Sequence, residues 1–132
     1  MKIFFIGMSA VVLISVIYSC KEKDPETTPY TVTISFLEPA ADDEIMSGSE
    51  MHMEVDFDGS KALGNIEVLA LNTTTGDTIA YYNIPTNDAF YAFHEHADII
   101  VAEHNMCTIT ASAWESDYAD RISKSVMVHL IP

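Results

Sequence analysis

The segment YAFHEHADIIVAEH, residues 91–104, holds the residues best suited to chemistry. His94 and His96 stand two apart, so on a strand they share one face, with α-carbons about 6.5–7 Å apart. An H-x-H pair on a strand is workable metal geometry, and imidazole suits Zn, Cu or Ni. The same pattern is also that of a plain polar strand face, and a one-residue slip would turn both rings inward. The acids offer a competing chemistry. Asp42-Asp43-Glu44, Asp56-x-Asp58-Gly59 and Asp117-x-x-Asp120 fall at loops or strand ends. Calcium wants six to eight oxygens, and none of these clusters has EF-hand spacing, so solvated turns explain them more simply. No nucleophile elbow, Cys/His signature or glycine-rich phosphate loop occurs, which argues against an enzyme.

The elements that would position these residues are strands. Period-two alternation dominates from residue 30 onward. The runs are Tyr30–Phe36, Met51–Phe57, Ile66–Asn72, Thr78–Ile84, Phe90–His96, Cys107–Ala113 and Val126–Leu130. Met51, Met53, Val55 and Phe57 alternate with His52, Glu54 and Asp56, as a half-buried strand requires. Thr74-Thr75-Gly76-Asp77 reads as a hairpin connection, with Gly76 supplying positive φ. No stretch after residue 20 shows a capped stripe of helical period. Seven short strands in about 100 residues point to an all-β, antiparallel two-sheet sandwich.

The order and spacing of these runs resemble bacterial immunoglobulin-like domains over residues 30–132. The close, ITASAWESDYADRISKSVMVHL, is similar to that of small Bacteroidota lipoproteins ending in one such domain. The inter-sheet cysteine pair of antibody domains is lacking, so antibody-type membership is not implied. Cys107 reads as a small buried hydrophobe and Trp114 as packing at a strand end.

The fold reading sharpens the metal idea. In such sandwiches the second and fifth strands are antiparallel neighbours. His52 would then approach His96, and Glu54 would approach His94. With Tyr91 and Phe93 inward, three imidazoles and a carboxylate converge on one exposed face, a ligand set that suits zinc or another divalent transition metal. His104 lies in an expected turn and joins only if the loop folds back. His129 belongs to the last strand, on the other sheet, and is left out of the set.

The start of the chain carries a different kind of signal. Lys2 precedes an apolar run from Ile3 to Tyr18, 16 residues, against roughly 20 for a spanning helix. It reads as a signal peptide over residues 1–19. Ile17-Tyr18-Ser19-Cys20 resembles the bacterial lipobox. That resemblance implies a diacylglyceryl group on the Cys20 thiol, cleavage before it, and anchoring by several acyl chains. Residues 20–29 follow as a lipidated cysteine and a flexible linker. Pro25 and Pro29 bias it to extended chain, on the order of 30 Å of reach. Acids after the cysteine resemble Bacteroidota surface-export signals, interrupted by Lys21 and Lys23. The expected address is the cell envelope, anchored to the outer membrane, with periplasmic and surface faces both open.

After Cys20 the chain has five basic and twenty acidic residues, net −15 with His neutral. Such a charge disfavours nucleic acid and anionic headgroups. With Cys20 consumed by lipid, Cys107 has no partner, and the domain stands on its core alone. Asn72-Thr73-Thr74 fits an N-glycosylation sequon whose use a bacterial lipoprotein makes unexpected. Asp77-Thr78-Ile79 resembles the O-glycosylation motif of exported Bacteroidota proteins, with Thr78 as acceptor. The expected role is a non-catalytic binding or interaction module, docking an envelope protein or glycan, with a metal-binding lipoprotein as the alternative.

Overall fold

The computed structural model describes residues 29–115 and 120–132. Cys20, the leader, most of the linker and Asp117 lie outside the described residues. Eight strands follow one another: β1 (Val32–Glu38), β2 (Glu44–Met46), β3 (Glu50–Gly59), β4 (Gly64–Asn72), β5 (Thr78–Thr86), β6 (Phe90–Asp98), β7 (Asn105–Trp114) and β8 (Ile122–Ile131). They form a three-stranded sheet, β1-β3-β6, and a five-stranded sheet, β2-β8-β7-β4-β5. The first, third and sixth strands on one sheet, with the fourth, seventh and eighth on the other, make an immunoglobulin-like sandwich. β5 extends the second sheet in the manner of a variable-type domain.

Alternation decides which residues fill the space between the sheets. Met51, Met53, Val55 and Phe57 of β3 are fully buried, as are Ala70, Cys107, Ile109, Ala111, Val128 and Leu130 from the opposite sheet. Phe93 of β6 is buried beside them, and Tyr82 of β5 meets it edge-on at 5.2 Å between centroids. Such an edge-to-face pair stabilises beyond its buried area. Lys124 ties the sheets at the rim, its Nζ donating to the Ile34 carbonyl at 3.0 Å.

Two features depart from the sequence reading. The acidic stretch Asp42-Asp43-Glu44, expected as a turn, leads directly into an extra short strand, β2. Its three residues are too few to show a period. The pairing is also not wholly antiparallel, because β2 runs parallel to β8, with Glu44 opposite His129 and Met46 opposite Ile131. The chain leaves β1 after a bulge between Phe36 and Glu38. Pro39, with no N–H to give a ladder, ends that pairing. A turn through Asp42, at φ 66°, then delivers the chain to the other sheet. Asp43 closes this turn by accepting from the Ala40 amide at 2.8 Å.

The β4–β5 hairpin follows the expected turn, with Gly76 at φ 84°. Asn72 is buried, and its Oδ1 accepts from the amides of Thr74 and Thr75 at 3.0 and 3.1 Å. The sequon asparagine is thus occupied in building the turn. Thr78 is exposed at the start of β5.

Candidate metal centre

β3 and β6 run antiparallel with His52 opposite His96 and Glu54 opposite His94. Directly paired residues on one face bring their Cβ atoms to about 4.5–5.5 Å. The register follows from the core. Met51, Met53 and Val55 must face inward together with Phe93, and a shift of one residue would bury the histidines instead. All three imidazoles therefore stand on the exposed face of the three-stranded sheet.

One nitrogen from each of His52, His94 and His96 lies within 4.8 Å of the others. Among the described residues this is the one group of three or more His, Cys, Asp or Glu with ligand atoms so close. The His52 and His96 ring centroids are 4.2 Å apart, and those of His94 and His96 are 5.1 Å apart. A tetrahedral ion with bonds of about 2.0 Å needs nitrogens about 3.3 Å apart. Rotations of exposed side chains can close that gap without moving the strands.

Each ring also has a carboxylate. Glu54 Oε1 is 3.4 Å from His94 Nε2, Glu50 Oε2 is 3.4 Å from His96 Nδ1, and Glu38 Oε2 is 3.9 Å from His52 Nδ1. As exposed ion pairs these contribute little to stability. Their place is beside the rings, where a carboxylate that accepts from one ring nitrogen would leave the other bare for a metal. Glu54, expected as a fourth ligand, does stand beside His94 on the same exposed face. Glu50 and Glu38 were not singled out from the sequence. Glu50 was visible in principle, two residues before His52 on the same strand face. Glu38 required the β1–β3 register, which sets it opposite Glu54.

An open depression of about 560 Å³ adjoins the cluster, with Glu38, Asp43, Glu50 and His52 around it and Pro39 and Ile45 as apolar wall. It leaves the His52 side of the cluster open to a small ligand. Asp56 and Asp58 share the outer face of β3, but two carboxylates fall short of the six to eight oxygens calcium needs, and among the described residues no third acid closes on them. Cys107 lies in the core, where burial pushes its thiol up to about 11, far from nucleophile behaviour.

His104 and His129 lie elsewhere. His129 is on β8, in the five-stranded sheet as expected, and His104 ends the loop between β6 and β7. The loop does fold back, but onto β8: His104 Nε2 is 2.9 Å from His129 Nδ1.

No family model matches the chain, and no curated protein matches it. Among solved structures it is similar to a CARDB domain from Pyrococcus furiosus, solved in complex with di-metal ions. The identity is 12%, the TM-score 0.48, and the match covers 77% of this chain and 92% of that one. The assignment of fold rests on the strand order above, and the chemistry on this chain's own side chains.

Proposed function

We propose that the chain is a lipid-tethered, non-catalytic binding module of the cell envelope, and that its specific site takes a divalent transition metal, zinc foremost, through His52, His94 and His96. One observation carries the metal reading: three imidazoles from two paired strands, with a nitrogen from each within 4.8 Å of the others, on a face open to solvent. Three nitrogens leave a fourth position for water or a ligand, the arrangement of an open site. The lipobox-like Ile17-Tyr18-Ser19-Cys20 supports the tether and the outer-membrane address, and the net charge of −15 after Cys20 favours cations and basic partners over nucleic acid. Docking of an envelope protein or glycan remains the role of the module as a whole.

The test is zinc titration of the purified full-length chain by calorimetry. One equivalent is expected in the low-micromolar range or tighter. His94→Ala with His96→Ala removes two of three ligands and should abolish it. A parent protein that takes up no zinc, nickel or copper at this face would refute the metal site.

A further inference from the structure

Every histidine of this protein touches another histidine. The chain has five. Three form the cluster on the three-stranded sheet, and the remaining two, His104 and His129, meet on the far side of the sandwich. Their ring planes differ by 14°, their centroids are 5.1 Å apart, and the facing nitrogens are 2.9 Å apart. The centroid spacing exceeds the nitrogen spacing by about two ring radii. The rings therefore meet end to end, each aiming a nitrogen at the other, with one proton between them. Asp42 Oδ1 lies 4.0 Å from Nε2, the opposite nitrogen of His129. It favours a proton there, which leaves Nδ1 bare as the acceptor of the proton on His104 Nε2.

The neighbours of this pair are soft. Met106 on β7 stands opposite His129 on β8, and Met127 lies two residues before His129 on the same strand face. Cross-strand partners share a face, with Cβ atoms about 4.5–5.5 Å apart. Met127 is 46% exposed and Met46, on the neighbouring strand β2, is 54% exposed. Methionine is a core residue in Met51 and Met53, both fully buried, but Met46, Met106 and Met127 stand at register positions on the sheet face that carries His129. Thioether ligands select Cu(I), while imidazole alone does not discriminate.

We infer that His104, His129 and Met106 form a second metal site, distinct from the first and suited to a soft monovalent cation, Cu(I). The cation takes the place of the shared proton. His104 then carries its proton on Nδ1, so both facing nitrogens become donors and no net proton is released. With bonds of about 2.0 Å to nitrogen, a trigonal ion needs the nitrogens about 3.5 Å apart. The pair must open by roughly 0.6 Å, and His104 sits on an exposed loop that can give this distance. The thioether of Met106 supplies the third ligand.

The test is competition for Cu(I) with a coloured chelator, anaerobically and with reductant, on the full-length chain in detergent. A Cys20→Ser background keeps that thiol from competing. With His52, His94 and His96 all changed to alanine, one equivalent of Cu(I) should remain, and X-ray absorption should show a sulfur among its ligands. Adding His104→Ala with His129→Ala should remove that equivalent, and Met106→Leu should weaken it at least tenfold. Retention of Cu(I) in the five-histidine variant, loss of all Cu(I) in the first triple variant, or no effect of Met106→Leu overturns the site. A chain that fails to bind zinc but behaves this way with Cu(I) refutes the first centre and keeps the second. The reverse pattern does the opposite.

Discussion

Replacement of Arg121 by methionine separates the stability of the sandwich from the chemistry of its face. Arg121, the residue before β8, donates through one terminal nitrogen to Glu67 Oε1 on β4 and to Ser112 Oγ on β7, the latter at 2.8 Å. Its guanidinium lies over the Trp114 ring, 5.4 Å from the centroid. The side chains of Arg121 and Glu67 are only 20% and 12% exposed. Methionine keeps much of the arginine stem's volume, so the main loss is charge and hydrogen bonding. A buried pair broken on one side costs about 3–5 kcal/mol, because the remaining ion is left desolvated. Partial exposure and the Tyr81 hydroxyl, which donates to Glu67 Oε2 at 3.1 Å, reduce this to about 2–3 kcal/mol. For a domain near 100 residues that is a fall in Tm on the order of 10–20 °C. Glu67→Gln should cost about 1 kcal/mol, since the amide keeps the shape and an acceptor. The double variant should lose less than the two singles together, because it removes the orphaned carboxylate. Denaturant melts of the four proteins close the cycle, and zinc affinity at His52, His94 and His96 should be unchanged throughout. An Arg121→Met protein within about 0.5 kcal/mol of its parent, or strictly additive singles, would refute the claim that this pair pins the sheet.

Gly64 has φ +68°, and a Cβ there would fall 1.5 Å from the Glu115 carbonyl oxygen; Gly64→Ala should therefore cost about 2–4 kcal/mol, whereas Gly76→Ala, with φ +84° but open space around it, should cost about 1 kcal/mol, and equal losses would refute the steric part. The Cys107 thiol is held up at about 11 by burial, so alkylation of the folded protein at pH 8 should be negligible and rapid only in denaturant. Because that folded value lies above the unfolded one, its stabilising contribution is complete below pH 9 and is lost as pH rises through about 11; stability unchanged over that window would count against it. Intact mass of the native product should show a chain beginning at an acylated Cys20, and a free thiol with the leader attached would refute the tether.

Local alternation told which residues face the core and which face water, because period two is a property of the strand itself. It placed Met51, Met53, Val55, Phe57, Cys107 and Ile109 inside and His52 outside, while the facing of Phe93, His94 and His96 stayed open until the β3–β6 register fixed it. It supplied enough alternating runs for a sandwich. It could not show β2, whose three residues carry too little period, nor the parallel pairing of β2 with β8. The facing of a side chain is written in its near neighbours, but its partner across the sheet is not: the expectation that His52 meets His96 and Glu54 meets His94 came from the resemblance to an immunoglobulin-like domain, and the register agrees with it. His52 meets His96, 44 positions later, only because both sheets bury their apolar faces in one core and so fix the β3–β6 register. His104 meets His129 only because the β6–β7 loop packs against β8, a contact that no periodicity in either segment announces. Residue types and most faces were thus determined by the sequence alone, and the company each histidine keeps by the tertiary packing.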